Sequence, residues 1–261
     1  MRSGNPTLRE EVFRCHDTIV GERMTLSGAV NRTLLMFLLV AVSAGYVYWQ
    51  MSGVIGLSGN GKSLAVTDPS RFGALMIYAI VGLVVSTVVG FATVFTPEWS
   101  PGTAPIYALA EGLCIGVISA VAEAKFPGIV PQAVGLTFGV FFSLLLAYKS
   151  GLIQATENFK LMVVSATGAI AVLYLVDLML MHFGIRVPMI HESGIVGVLF
   201  SLFVVAVAAF NLVLDFDFIE AGVEAGAPRY MEWYGAFSLT VTLIWLYLEI
   251  LRLLMKARSR D

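Results

Sequence analysis

TLLMFLLVAVSAGYVYWQM, the stretch from Thr33 to Met51, holds no charged side chain. Crossing about 30 Å of hydrocarbon takes roughly 20 helical residues at 1.5 Å each, so this segment is long enough to span a bilayer as a helix. Six further blocks of the same kind follow: Phe72 to Phe95, Ala104 to Ala122, Ile129 to Tyr148, Leu161 to Phe183, Gly194 to Leu214 and Ala236 to Met255. Helix breakers fall between them, at Asp68-Pro69, Pro97, Pro101-Gly102, Pro127-Gly128, Gly184, Pro188 and Pro228. Proline and glycine punctuate loops, and Pro131 sits in the first turn of the fourth block, where its missing N–H costs little. The pattern predicts an all-α, polytopic membrane protein with a bundle of seven transmembrane helices.

Composition agrees. The 261 residues are 58% hydrophobic and 13% charged, and the mean hydropathy is +0.85. Soluble domains carry about 25% charged residues because their surfaces face water. A net charge of −2 gives no electrostatic footprint for nucleic acid. Cys15 and Cys114 are too few and too far apart for a disulfide framework or a metal site, and read as unrelated thiols.

Residues 1–32 form a polar leader carrying Arg2, Arg9, Arg14, Arg23 and Arg32, too long and polar before the first apolar block to be a cleavable signal. Residues 33–255 form the membrane domain, and residues 256–261 a short basic tail. With the N-terminus inside, eight basic residues fall on each side of the membrane: Arg2, Arg9, Arg14, Arg23, Arg32, Lys149, Lys160 and Arg229 against Lys62, Arg71, Lys125, Arg186, Arg252, Lys256, Arg258 and Arg260. The positive-inside rule ties, and only the weight of the first helix favours a cytoplasmic N-terminus.

Small residues recur at helix-packing spacing: Gly82, Ser86 and Gly90 in the second span; Gly112, Gly116 and Ala120 in the third; Gly135, Gly139 and Ser143 in the fourth. Lipid gives helices no hydrophobic push towards each other, so such ridges let backbones approach and gain dispersion contacts. A compact bundle is sufficient to explain them.

Gly56-Leu-Ser-Gly-Asn-Gly-Lys-Ser63 matches the phosphate-loop pattern. That chemistry needs a buried parallel strand before the loop and a helix opening onto the phosphates after it. A membrane span precedes this segment and polar residues follow it. The expectation is a flexible turn with no sheet, and no nucleotide hydrolysis.

Ionisable groups at mid-bilayer cost roughly 2.5–3.5 kcal/mol on insertion scales, so each one needs a reason. Glu111 lies seven residues into the third span and Asp177 in the last third of the fifth. Asp215 and Asp217 close the sixth, and Glu249 sits two-thirds along the seventh. No lysine or arginine lies deep in a span, and only Arg252 can pair locally, with Glu249 at i+3. Buried carboxylates without basic partners stay protonated or receive a cation. Either outcome favours a cation or proton path over an anion path. Asp215 and Asp217 stand about 200° apart on a helix, so one of them faces away from the bundle axis. Bland readings stand beside these: an interfacial ion pair for Glu249, headgroup depth for Asp177. His16, His182 and His191 have no partners at metal spacing, no hydrolase arrangement is present, and the last span lacks the deep lysine of a retinal protein.

The ordered features resemble the Bax inhibitor-1 (transmembrane Bax inhibitor motif) family, and most of all a bacterial branch with an extended leader. They are Arg2-Ser-Gly-Asn-Pro6, Met24-Thr-Leu26 leading into Asn31-Arg-Thr33, and Pro105-Ile-Tyr-Ala-Leu-Ala-Glu-Gly-Leu113 with Gly116 and Ser119. Further along come Pro131-Gln-Ala133, Thr137-Phe-Gly139, Tyr148-Lys-Ser-Gly151, Leu214-Asp-Phe-Asp217 and Tyr234-Gly-Ala-Phe-Ser-Leu239. The resemblance implies a seven-helix bundle around a central helix and a pH-dependent Ca²⁺ leak. It further implies an aspartate near the end of the sixth helix sharing protons with one in the seventh, a like-charge dyad. The sixth-helix member is Asp215, with Asp217 as the other choice. Aligned on Gly235-Ala-Phe-Ser-Leu239, the seventh-helix position falls near Thr242, where no aspartate is present; Glu249 follows two turns later on the same face. The sequence therefore points to a non-enzymatic protein of the bacterial inner membrane, without cofactor, that passes Ca²⁺ or other cations, or protons, along buried carboxylates. The alternative is a non-conducting protein that binds and regulates partner membrane proteins.

Overall fold

The computed structural model describes residues 23–57, 64–184, 190, 192 and 194–259. Seven helices dominate it: α1 (Leu26–Ser52), α2 (Pro69–Phe95), α3 (Ser100–Lys125), α4 (Ile129–Lys149), α5 (Glu157–His182), α6 (Ile195–Glu224) and α7 (Met231–Arg258). Each is long and apolar enough to cross a membrane, so the predicted all-α class and span count hold. A 3₁₀ turn, Pro97–Trp99, leads into α3.

The helix ends differ from the hydropathy boundaries because caps, not hydrophobicity, set them. Thr25 caps α1 by accepting the Gly28 N–H, so the helix starts seven residues before Thr33, inside the segment assigned to the polar leader. Thr156 caps α5 in the same way, through the Phe159 N–H, which draws Glu157 and Lys160 into the helix. α6 runs on to Glu224 instead of stopping at Leu214, so Asp215 and Asp217 are interior to it. α7 begins at Met231 and reaches Arg258, which places Lys256 in the helix and not in a free tail. Gly226, with φ +65°, stops α6 in the left-handed conformation that glycine adopts without strain.

The expectation of no sheet between α1 and α2 is corrected. Strand β1 (Ile55–Leu57) pairs antiparallel with β2 (Leu64–Val66), Ile55 opposite Val66 and Leu57 opposite Leu64. The Val54 carbonyl closes the neck by accepting the Thr67 N–H at 2.9 Å and the Thr67 hydroxyl at 2.8 Å. Among the described residues, the element that follows the glycine-rich motif is thus strand β2 and not the helix that phosphate-loop chemistry requires. The motif's residues 58–63, where the flexible turn was expected, lie outside the described residues, as do Cys15, His16 and His191.

The chain forms two compact units. In the first, whose described residues fall within 23–130 and 222–240, α3 packs along α1 and α2. Backbones touch where the glycine ridges predict. A Cβ on Gly82 would stand 2.6 Å from the Ala110 carbonyl oxygen, and one on Gly116 2.6 Å from that of Ala44. Val47, Met51, Leu75, Val117 and Ala120 form an apolar cluster, and Tyr107 meets Phe237 edge to face at 4.9 Å.

The described residues of the second unit fall within 131–221 and 241–259. Its core gathers Ile170, Val204 and Val207, with Phe200 and Trp245 packed against them. Asn211 donates to the Thr167 hydroxyl at 2.7 Å and to its own helix at Val207 O, a polar tie between α5 and α6 of the kind membrane interiors use. The Gly135–Gly139 ridge of α4 is a correction: both glycines face open space. Ala133, Thr137 and Phe141 are the buried residues there, and two positions along a helix is about 200° around it, so the glycines occupy the opposite face.

Candidate functional site

Five of the six candidate residues belong to the second unit, and α6 places the central one. Asp215 is 1% exposed, flanked by buried Leu212, Val213, Leu214 and Phe216. Asp217, two residues on, points elsewhere, as the helical angle requires. Its carboxylate meets the Lys160 ammonium at 2.7 Å, and Lys160 also lies 3.5 Å from Glu157. Lys160 itself is buried along its stem, the way long cations lay methylenes on apolar surface.

On α7, Thr242 and Glu249 are both buried. Glu249 is held by two groups. Arg252 Nη1 donates to its two carboxylate oxygens at 3.0 and 3.1 Å, and the Tyr174 hydroxyl donates to Oε1 at 2.9 Å. Arg252 also donates to the Tyr174 oxygen and lies 5.1 Å over its ring centre, so the three side chains make a closed triad. Asp177, one helical turn from Tyr174 on α5, is buried. Lys256 donates to the Gly197 carbonyl at 3.0 Å and the Ser201 hydroxyl at 2.9 Å, tying the end of α7 to the start of α6. Glu111 belongs to the first unit and is half-buried on α3. Among the described residues, no three His, Cys, Asp or Glu side chains gather as a metal-holding set.

The expectation that the acids lack basic partners is therefore corrected for Asp217, which has Lys160; the i+3 pair anticipated between Glu249 and Arg252 is present. Lys160 was missed because it stands one residue before the hydropathy block that begins at Leu161. The N-cap at Thr156, four residues upstream, is the signal that could have found it. Tyr174 was missed as an apolar-block aromatic, although its i+3 relation to Asp177 marks a polar helix face.

A profile of the Bax inhibitor 1 like family matches residues 5–259. The chain belongs to that family. The match covers both units and all seven helices, so the family's fold applies to the whole described chain. Comparison with curated proteins returned no match, and neither did comparison with solved structures. The departure from the expected family pattern is thus located in a buried place: Thr242, at the position where the resemblance implies a second carboxylate, is 4% exposed.

Proposed function

We propose that this membrane protein passes cations, Ca²⁺ foremost, with the Asp215 carboxylate as the group that receives them. One observation carries the reading: Asp215 is almost wholly buried within a helix of membrane length. Burial disfavours the ionised form of such a carboxylate, which makes it a place where a cation or a proton binds favourably. Membership of the Bax inhibitor 1 like family supports the same activity. Because Thr242 is not an acid, the reading rests on the Asp215 carboxylate and not on a proton-sharing dyad. The resemblance to a bacterial branch supports, as part of the same proposal, a bacterial inner membrane as the location and a role without covalent catalysis.

The direct test is Ca²⁺ entry into liposomes that hold the purified full-length chain. Flux that falls in Asp215→Asn supports the reading; equal flux in both proteins from pH 5 to pH 8 contradicts it. A second reading is favoured by Asp217, held by Lys160, and Glu249, held by Tyr174 and Arg252, which use acids as ties between helices. In that reading the protein conducts nothing and regulates partner membrane proteins, and the wild type itself shows no flux.

A further inference from the structure

We propose that the heads of α1 and α7 form a binding site for a phosphate-bearing anion, with the headgroup of an anionic phospholipid as its occupant. A crevice of about 400 Å³ lies there, lined by Arg23, Thr25, Gly28, Arg32, Arg229 and Glu232, with Ser27 and Asn31 at its edge. All of these residues belong to the first unit. Three arginines and one glutamate line it, a formal excess of two positive charges.

That carboxylate is already engaged. Glu232 accepts from the Thr25 N–H at 3.0 Å and from its hydroxyl at 2.9 Å. It lies so close to α1 that a Cβ on Gly28 would overlap it. Arg32 reaches Glu232 only at 4.0 Å, the outer limit of an ion pair, and rests 4.9 Å over the Trp233 ring. The Arg32 Nε is a buried donor without an acceptor, an arrangement that calls for an unseen partner. Guanidinium groups recognise phosphate oxygens through paired, charge-assisted N–H bonds. Ser27 and Asn31 add neutral donors at the edge.

Position selects the lipid source. The crevice sits where two membrane-length helices begin, at the level of headgroups. From it, Leu26, Val30, Leu34 and Leu38 descend α1 at i+4 spacing with their side chains exposed. A phosphodiester seated among the arginines would have its acyl chains along that stripe.

The test titrates full-length protein in neutral detergent with dihexanoyl phosphatidylglycerol, dihexanoyl phosphatidylcholine and inorganic phosphate, read by calorimetry. Saturable binding of phosphatidylglycerol, at least roughly tenfold tighter than phosphatidylcholine, is expected. Arg32→Gln and Arg229→Gln should each weaken it by about tenfold or more, whereas Arg71→Gln, beside Gln50 at the far end of α1, should leave it unchanged. Arg229 is exposed, so its variant carries the test if Arg32→Gln fails to fold. Inorganic phosphate binding equally well, with the same arginine dependence, would support the site with free phosphate as its ligand. The proposal is overturned if neither phosphatidylglycerol nor phosphate saturates the wild type. It is overturned equally if Arg71→Gln weakens binding as much as the crevice variants.

Discussion

Lys160 and Asp217 meet at 2.7 Å between α5 and α6, with 11% and 30% of their side chains exposed. The pair lies between the two regimes known for ion pairs. Fully exposed pairs contribute about 0–1 kcal/mol, and breaking a fully buried one costs roughly 3–5. Lys160→Met should therefore destabilise the protein by about 1–2 kcal/mol, and Asp217→Asn by a similar amount. The double variant should lose less than the sum. Thermal unfolding of all four proteins in detergent measures this coupling; additive losses would show that the two residues act independently.

The Glu249 triad should be more sensitive. Glu249 is 2% exposed, so Arg252→Met strands its carboxylate and should cost about 3–5 kcal/mol. Tyr174→Phe removes a single hydroxyl between charged partners and should cost about 1–2. Adding Glu249→Gln to Arg252→Met should recover part of the loss, because a neutral amide needs no counter-charge. Melting temperatures in one detergent rank the set, and an Arg252→Met no worse than Tyr174→Phe would refute the triad.

Glycine ridges in the two units should answer differently to the same change. Gly116→Ala drives a methyl into the Ala44 backbone and should cost about 1–3 kcal/mol through overpacking. Gly135→Ala fills open space and should be neutral or stabilise by up to about 1 kcal/mol through helix propensity. Comparison of the two melting curves decides it. A loss at Gly135 as large as that at Gly116 would mean that the α4 ridge is in contact with something.

Asp68 makes a pH prediction outside the membrane. The Ser70 hydroxyl, followed by the Arg71 and Ser70 N–H groups, holds its carboxyl below the ordinary range. A folded pKa below the unfolded one, about 3.9, stabilises fully above that value and fades as pH falls through the folded pKa. Hydrogen exchange at the start of α2 should thus show constant protection from pH 7 to pH 5, after correction for intrinsic rates. Protection should drop only below about pH 4, and Asp68→Ala should lower it at every pH. Loss of protection between pH 7 and pH 5 would contradict the cap.

Much of the fold was legible because a bilayer imposes a length and a polarity that few sequences meet by accident. Seven blocks such as Thr33–Met51 and Phe72–Phe95 required no tertiary knowledge. Helix ends were read less well, since hydropathy ignores capping: Thr25 and Thr156 start their helices among polar residues. That same blindness hid Lys160 and left Glu232 unremarked, because each lies just outside an apolar block. The strands flanking the glycine-rich motif are too short, at three residues each, to leave an alternating signature. Spacing alone separated the faces of Asp215 and Asp217, but which acid was buried depended on the elements packed around α6, and a linear pattern does not contain that.

The account stands on Asp215 as the station for a passing cation. The most direct measurement is the initial rate of Ca²⁺ entry into dye-loaded liposomes bearing either wild type or Asp215→Asn, at matched protein density. The account predicts that the asparagine variant loses most of the flux, while Asp217→Asn, whose acid is engaged by Lys160 of α5, retains it. Equal rates in Asp215→Asn and wild type would contradict it.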